Sequence, residues 1–513
     1  MKLLNNKTLL LLFILWSLLV NFSFGYAVRP GYAVALALIL IVMAKFSPAA
    51  AKITLAIVTV IAAVYLPVAV KYGPPSLNTV AAARYTSLSE SAEFLGMLPA
   101  GSIILSFVLF LIAILCMFIA KQAKHIKSRL ATIYIALTVA VISFNPAHSY
   151  IKHGDISQAD IKFSPYRFVY DIYRPYKIIT QQEKISASLL ATPDTWQPTP
   201  QTSPYDTFIL VIGESVRRDY MNAYGFSLNN TPFMSQANGI LFDHYHSASF
   251  ATVPSLVASF YLAQDGHVEY NNSFIRLAKK AGYKTFWLSN QGRFGLYDGP
   301  VADVGKQADI SQFVKKGDSN DHNYYPDNAL LPTIQDALSD RAPQKLIVIH
   351  LIGSHPESCA RTDGHYDEFY ISKDISCYVQ SIKNTDTMLN EIQKMADRGK
   401  NRWSMLYFAD HGLGQFNKGE DDAYMEHSDL YKQSFNVPLF ITSYDASEQR
   451  HIAEERSGLD FLNLFADWLG IHDEKIASQC RPLADRPCIK QVNVLNKDFS
   501  LITLDSLDDD DPL

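Results

Sequence analysis

The sequence predicts an α-helical membrane domain followed by an α/β domain, whose mostly parallel sheet is flanked by helices. Three observations predict this fold class. Long apolar runs concentrate in the N-terminal part, and short strand-like runs alternate with helical patterns from Thr207 to about Gly470. Polar residues that are able to bind a metal or take part in catalysis directly follow several of those strands. The net charge of -5 is mild and indicates no nucleic-acid partner.

Five apolar runs predict five membrane-spanning helices. The runs are Leu9–Val28, Gly31–Phe46, Ile53–Val70, Gly101–Ala120 and Leu130–Phe144. A span needs about 20 mostly apolar residues, with about 17 as the lower limit. The first, third and fourth runs meet this length, whereas the second and fifth need flanking residues or tilt. No small-residue cleavage site stands out before Arg29-Pro30, so we interpret the first run as a span rather than a signal peptide.

Basic residues predict the orientation of these spans. They precede the first span and lie between the second and third and between the fourth and fifth. They are Lys2, Lys7, Lys45, Lys52, Lys121, Lys124, Lys127 and Arg129. These segments share one side of the membrane only if the N-terminus is cytoplasmic. Five spans then place everything after Asn145 outside.

The sequence between the last span and the α/β domain differs from both. Tyr166–Tyr173 is aromatic and suits a membrane interface, Gln181–Leu190 resembles a polar connecting helix, and Pro193–Pro204 has the composition of a linker. We therefore expect three parts. These are a transmembrane domain at 1–145, a linker with interfacial helices at 146–204, and the α/β domain at 205–513.

Strands and helices alternate within the α/β domain. Strands are predicted at Thr207–Ile212, Lys284–Leu288, Lys345–Leu351, Met405–Phe408 and Pro438–Thr442. Helices are predicted at Ser273–Ala281, Ala329–Leu338, Ile375–Met395 and Leu459–Leu469. This alternation favours a mostly parallel sheet between helices. The acidic tail Asp505–Asp511 is expected to be solvated.

Cysteine usage is consistent with an exported α/β domain. Cys116 lies in the fourth apolar run, and the other four cysteines follow the last span. An oxidising compartment would pair those four, and the sequence-local choice is Cys359–Cys377 with Cys480–Cys488. Four cysteines allow three connectivities, so this pairing is a preference. A zinc–thiolate site is a weaker interpretation, because the spacings do not match Cys-x-x-Cys.

Polar residues follow three predicted strands at the edge where an open α/β sheet binds ligands. They are Glu214 and Ser215 after the first strand, His355 after another, and Asp410 and His411 after a third. Oxygen and imidazole donors suit Zn²⁺, and the candidate ligand set is Glu214, Ser215, Asp410 and His411. His427, just before the strand at Pro438, is a further imidazole for the same edge.

Each of these residues also has a purely structural interpretation. Ser215 could cap a helix that begins near Val216. An isolated Asp-His pair is more often a hydrogen-bonded pair than a metal site, and His355 and His427 could be structural histidines. The recurrence of ligand-type residues at the ends of separate strands favours a metal site with a serine nucleophile.

This pattern resembles the bacterial phosphoethanolamine transferases of the alkaline phosphatase and sulfatase superfamily, over nearly the whole chain. The motifs that carry the resemblance are Gly213-Glu-Ser-Val-Arg-Arg218, Tyr224-Gly225, Asn230-Thr-Pro232, Ile352-Gly-Ser-His-Pro356 and Ala409-Asp-His-Gly412. The resemblance implies a multi-pass protein of the bacterial inner membrane with a sulfatase-like catalytic domain in the periplasm. It implies Ser215 as the nucleophile and Glu214, Asp410 and His411 as zinc ligands.

The same resemblance implies residues that contact the substrate. His355 and His427 match two histidines near the substrate head group, which hold a second zinc ion in some members. One of them would act as the general acid or base. Asn272 and Arg276 fit an Asn-x-x-x-Lys pair that contacts the phosphoryl group, although Arg replaces Lys here.

The implied reaction is zinc-dependent transfer of phosphoethanolamine from phosphatidylethanolamine, through a covalent serine intermediate, to lipopolysaccharide or a periplasmic glycan. Lipid A phosphate, a core sugar and a glucan stay open as acceptors, and Gly-Glu-Ser rather than Gly-Glu-Thr slightly favours a sugar hydroxyl. A phosphoglycerol transferase of the lipoteichoic acid synthase type and a non-catalytic membrane sensor are the alternatives. A sulfatase is disfavoured, because no Pro stands two residues after Ser215.

Overall fold

The computed structural model describes residues 6–85, 100–153, 156, 160–200, 203–264, 267–293, 299–315, 325–399, 401–476 and 480–512. The chain divides into two compact units, residues 1–180 and 181–513. The boundary falls inside the predicted segment 146–204, so the division into three parts stays a prediction.

The first unit is helical. Its helices are α1 (Asn6–Ser23), α2 (Pro30–Phe46), α3 (Pro48–Tyr72), α4 (Leu77–Tyr85), α5 (Ala100–Ile119), α6 (Ser128–His153) and most of α7 (Ser164–Ala191). In the described ranges, three helices are long and apolar enough to cross a membrane, at Pro48–Val70, Gly101–His125 and Ser128–Lys152. Lys7–Ser23 and Pro30–Phe46 are shorter apolar helices. All five predicted runs are therefore helical, and the number that crosses the membrane stays a prediction.

Three of these helices differ in length from the prediction, and the third, Pro48–Tyr72, extends beyond Ile53–Val70 at both ends. The fifth is longer, because its helix continues beyond Phe144 to His153. The first ends at Ser23 rather than Val28, where Gly25 adopts a left-handed conformation with φ 78°. A Cβ at Gly25 would lie 2.6 Å from the carbonyl oxygen of Gly73, so this turn requires glycine.

Buried polar contacts connect the helices of the first unit. Trp16 Nε1 donates to Thr59 Oγ1 at 2.9 Å, and Ser17 Oγ donates to the Ala33 carbonyl at 2.7 Å. The outer faces are apolar instead, with exposed side chains that include Ile104, Phe107, Leu111 and Phe118. An apolar outer surface of this extent suits contact with lipid.

The described part of the second unit is organised around an eight-stranded sheet. The strands are β1 (Thr207–Gly213), β2 (Gly239–Phe242), β3 (Lys284–Gly292), β4 (Ile310–Lys315), β5 (Lys345–His350), β6 (Trp403–Ala409), β7 (Leu439–Ser443) and β8 (Gln449–Ile452). Their order is β8-β2-β7-β6-β1-β5-β3-β4. Strands β1 and β3 to β6 are parallel, whereas β7 is antiparallel to both neighbours. The prediction of a mostly parallel sheet is confirmed.

Helices flank this sheet. They are α8 (Pro232–Gln236), α9 (Thr252–Phe260), α10 (Phe274–Lys280), α11 (Gly299–Gly305), α12 (Leu331–Ser339), α13 (Ser358–Arg361), α14 (Lys373–Asp397) and α15 (Phe461–Leu469). Shorter strand pairings connect the loops, at Thr199–Pro200 with Ile471–His472, Tyr261–Gln264 with His267–Ser273, Gly414–Phe416 with Tyr424–Glu426, Asn493–Leu495 with Leu501–Thr503, and among Tyr245–His246, Asn436–Val437 and Arg456–Ser457. The strands and helices predicted between Thr207 and Gly470 are present, with ends shifted by a few residues, except the helix that could begin near Val216.

The central strands set the register of the site. Strand β1 is buried throughout, because β6 and β5 pair on its two sides. Gly213 is paired with Ala409, and Ile212 is paired with His350. The residues that follow these three strands therefore meet at one edge of the sheet.

Both predicted disulfides are formed, Cys359–Cys377 and Cys480–Cys488. The predicted solvation of the acidic tail holds for Asp505, Asp508, Asp509 and Asp511, which are exposed, but it is wrong for Asp510. Asp510 is fully buried, and its carboxylate pairs with the buried Arg217 at 2.7 Å. Charge alone indicated solvent exposure, but a buried carboxylate is tolerated where a buried cation pairs with it.

Candidate functional site

The chain turns sharply at Ser215, directly after β1. The expected helix from Val216 is absent from the described residues, where Arg218–Tyr220 and Asn222–Tyr224 form short 3-10 turns. Ser215 has φ 60°, a left-handed conformation that costs a non-glycine residue about 1–2 kcal/mol. Such strain persists only where surrounding contacts impose it, and it clusters at functional sites.

Three buried hydrogen bonds hold this turn. The Ser215 amide donates to Asp410 Oδ1 at 3.0 Å, and Tyr378 Oη donates to the Ser215 carbonyl at 2.8 Å. The Arg217 amide donates to the same Tyr378 oxygen at 2.9 Å. The strained serine is thus fixed from β6 and from α14.

The predicted ligand residues converge on this serine. Ser215 Oγ donates to Glu214 Oε1 at 2.8 Å, and His411 Nε2 lies 3.2 Å from the same oxygen. His411 Nε2 also lies 3.6 Å from Asp410 Oδ2. Because His411 Nδ1 is 2.7 Å from the Gly412 carbonyl, Nδ1 carries the proton and Nε2 faces the carboxylates.

The donor set fits a divalent cation. Asp410 Oδ2 is buried without a hydrogen-bond partner among the described residues, which is costly for a carboxylate oxygen unless a cation accompanies it. The ligand atoms of Glu214, His411 and His427 lie within 4.8 Å of one another. Carboxylate oxygens and imidazole nitrogens in a compact group are ligands that Zn²⁺ accepts.

The electrostatics of the buried pair agree with this interpretation. Burial opposes ionisation of Glu214, but the hydrogen bond and charge of His411 hold the Glu214 pKa well below its usual range. Burial and the negative charge of Glu214 raise the pKa of Asp410 well above its usual range. A divalent cation between them would stabilise the ionised form of both carboxylates.

Both predicted substrate histidines lie beside this group. The ring of His427 is 4.9 Å from that of His411 and 5.8 Å from that of His355, between centroids. His355 Nδ1 is 2.6 Å from the Pro356 carbonyl, and burial lowers the pKa of His355. His427 Nδ1 is 2.8 Å from Glu426 Oε1. His427 reaches this edge because it precedes β7, whose antiparallel direction brings its amino end there.

Two residues at the site were missed by the sequence reasoning. Thr252, at the start of α9, donates to Glu214 Oε2 at 3.1 Å and lies 3.3 Å from His411 Nε2. Gln291 Nε2 donates to Glu214 Oε2 at 3.0 Å. A longer prediction for β3 would have revealed Gln291, because the strand continues past Leu288 to the same edge. Thr252 has no comparable signal in the sequence.

Asn272 and Arg276 lie in a different environment. Asn272 exchanges hydrogen bonds with Thr195, accepting from its amide at 2.8 Å. Arg276 donates to the carbonyls of Leu189, Leu190, Thr192 and Asn271. Their described hydrogen bonds therefore tie down the segment after α7, and their role in substrate binding stays a prediction.

The sheet and the strained serine among carboxylate and imidazole groups are those of a sulfatase-type domain. The Sulfatase family model matches residues 206–471. The zinc complex of the C-terminal periplasmic domain of Escherichia coli EptC shares the fold, with a TM-score of 0.52 and 21% identity over 62% of this chain and 98% of that one.

Similarity extends into the first unit. Escherichia coli K12 phosphoethanolamine transferase OpgE is 35% identical over 90% of this chain and 88% of its own length. The chain belongs to the phosphoethanolamine transferase family, and it is a transferase with a sulfatase-type domain.

Proposed function

We propose that this enzyme transfers phosphoethanolamine from phosphatidylethanolamine to a cell-envelope acceptor through a covalent intermediate on Ser215. One observation carries the proposal: a serine in a strained conformation, with its Oγ on Glu214, inside a buried group of metal-type ligands. A backbone conformation of this cost at a nucleophile position is typical of a catalytic turn.

Glu214, Ser215, Asp410 and His411 would hold one Zn²⁺, with His427 adjacent. When bound, Zn²⁺ lowers the pKa of a hydroxyl and neutralises charge on phosphoryl oxygens. The related domain solved with zinc and the unpartnered Asp410 Oδ2 support this ion. A second ion near His355 and His427 is part of the same proposal.

The side chains supply the remaining chemistry. Ser215 Oγ attacks phosphorus, and its proton has an acceptor in Glu214 Oε1 at 2.8 Å. The bond from phosphorus to the diacylglycerol oxygen breaks, and that oxygen takes a proton from His355 or His427. The histidine, now neutral, then receives the proton of the acceptor hydroxyl as that oxygen displaces Ser215, whose Oγ recovers the proton that it gave up in the first step.

We further propose that five spans anchor the chain in the bacterial inner membrane, with the catalytic domain in the periplasm beside its lipid donor. The basic residues of the loops support this orientation. A sugar hydroxyl of a core oligosaccharide or glucan is slightly favoured as acceptor over lipid A phosphate. Mass spectrometry of lipid A, core oligosaccharide and glucans from a deletion strain would identify the acceptor.

The test uses full-length protein in detergent and fluorescent phosphatidylethanolamine without acceptor. Wild type should release diacylglycerol up to at least one equivalent and gain a phosphoethanolamine adduct on the peptide containing Ser215. Ser404→Ala is a matched control, since Ser404 is a buried serine at the opposite end of β6. Failure of wild type to cleave any phospholipid would refute the proposal and favour the non-catalytic sensor.

A further inference from the structure

The C-terminal segment 508–511 lies against two loops of the second unit. The Asp508 amide donates to the Leu430 carbonyl at 3.2 Å, and the Asp508 carbonyl accepts from the Lys432 amide at 3.0 Å. The Asp510 amide donates to Gln433 Oε1 at 2.7 Å. We call this segment the C-terminal clamp. Its backbone is therefore fixed by the loop that follows His427.

The carboxylate of Asp510 is the centre of the clamp. Its Oδ2 accepts from Arg217 at 2.7 Å and from the Gln415 amide at 2.9 Å, and Lys418 Nζ contacts its Oδ1. Asp510 and the Arg217 side chain are both fully buried. Removing the Asp510 carboxylate leaves the buried guanidinium of Arg217 held from one side by Asp219, so the position of Arg217 would relax.

Arg217 connects the clamp to the turn at Ser215 and to the strand end at His411. It stands two residues after Ser215, and its amide shares the Tyr378 hydroxyl with the Ser215 carbonyl. Its guanidinium donates to the Leu413 carbonyl at 3.3 Å. A Cβ added to Gly412 would lie 3.1 Å from Arg217 Cγ, so the arginine packs on the residue after His411.

We propose that Asp510 is a positioning residue for the transfer reaction: it holds Arg217, which fixes the turn at Ser215 against the strand end at His411. The inference rests on the proposed function of Ser215. Asp510 thereby supports the active site without touching the substrate. Asp219, which accepts from Arg217 Nε at 2.9 Å, supports the guanidinium from the other side but is partly exposed.

The test compares Asp510→Ala with Asp509→Ala in the full-length protein. Both changes remove a carboxylate from the clamp, but Asp509 is exposed, and its partners among the described residues are Lys432 and Gln433. Asp510→Ala should lower kcat for diacylglycerol release by about 10- to 100-fold, with KM and zinc content unchanged, because nucleophile misplacement of about 1 Å has effects of this size. Asp509→Ala should stay within about twofold of wild type.

Hydrogen exchange supplies a readout that needs no turnover. Amides of residues 214–221 should exchange faster in Asp510→Ala than in Asp509→Ala or wild type. If Asp510→Ala does not fold, Asp510→Asn should show the same selective fall in kcat, because it keeps the shape and weakens the bond to Arg217. Equal kcat in the Asp510 and Asp509 variants, or a fall that merely parallels zinc loss, would overturn the inference. An inactive wild type would instead refute the proposed function, while the exchange measurement would still test the clamp.

Discussion

Replacing Ser215 separates catalysis from stability, because the same residue carries the hydroxyl and the strained backbone. Ser215→Ala removes the Oγ that donates to Glu214 Oε1 at 2.8 Å but keeps a Cβ at φ 60°. Ser215→Gly removes the same hydroxyl and also the Cβ that makes this conformation unfavourable. Both variants should lose transfer by orders of magnitude, since the covalent route is gone.

The two variants should differ in stability. Loss of one hydrogen bond to a charged group costs about 1.5–3 kcal/mol of stability. This range is an upper limit for both variants if the Glu214 carboxylate keeps other hydrogen-bond donors. Glu214 does keep other donors, because Thr252 and Gln291 both donate hydrogen bonds to it. In Ser215→Gly alone, relief of the strain of the left-handed backbone conformation offsets about 1–2 kcal/mol of this loss of stability. Ser215→Gly should therefore melt a few °C above Ser215→Ala.

The assay combines thermal unfolding in detergent with release of diacylglycerol from fluorescent phosphatidylethanolamine. Ser215→Thr keeps a hydroxyl and should retain some turnover. Ser404→Ala should keep wild-type turnover but unfold at a lower temperature, because the buried Trp468 Nε1 loses its acceptor. Undiminished transfer by Ser215→Ala would end the covalent mechanism. A Ser215→Gly protein less stable than Ser215→Ala would show that the turn is not under backbone strain.

Three further predictions concern the metal, the membrane and one buried carboxyl group. Purified protein should carry at least one zinc ion by elemental analysis, and Asp410→Ala or His411→Ala should lower the zinc occupancy. His365→Ala, at an exposed histidine, should leave the zinc occupancy unchanged. Full zinc occupancy in Glu214→Ala, Asp410→Ala and His411→Ala alike would mean that the ligands are wrongly assigned. A reporter active only in the periplasm should be active when fused after Asn145 and inactive when fused after Lys124, and the reverse result would contradict five spans. Burial raises the pKa of Asp386 to about 6 from 3.8, although its carboxylate accepts from the Phe233 and Met234 amides. Between about pH 4 and 6 the folded protein therefore binds one more proton than the unfolded protein does. The free energy of unfolding of wild type, measured relative to that of Asp386→Asn, should fall by about 1–3 kcal/mol as the pH rises through this window. An increase in relative stability, measured by thermal unfolding, would contradict the raised pKa of Asp386.

Much of the fold was predictable because its signals are local. The strands around Thr207–Gly213 and Trp403–Ala409 are apolar runs ended by polar residues, and parallel pairing brings such ends together. Glu214, Ser215, Asp410 and His411 follow those strands immediately. To predict that these residues lie close together, it was therefore enough to know that the sheet is mostly parallel, which the alternation of strands and helices indicates.

Other features depended on partners distant in the chain. Strand β7 has the same composition whether it runs parallel or antiparallel, yet its antiparallel direction is what brings His427 to the site. Thr252 contacts Glu214 only because the tertiary fold brings the start of α9 to the residue that follows β1. The predicted helix after Val216 gave way to a turn, because bonds from Asp410 and Tyr378 stabilise a backbone conformation that local preference opposes.

The sequence by itself determined the apolar helices and the sheet class, indicated the preferred cysteine pairs, and placed the proposed ligand residues at the strand ends, because each depends on neighbours along the chain. Only the tertiary structure decided that Ser215 is strained, that Gln291 and Thr252 join Glu214, and that Asp510 is buried. The acidic tail shows the physical reason. Whether a carboxylate is solvated or buried depends on the free energy of pairing it with a cation, and the cation here, Arg217, lies almost three hundred residues away in the chain.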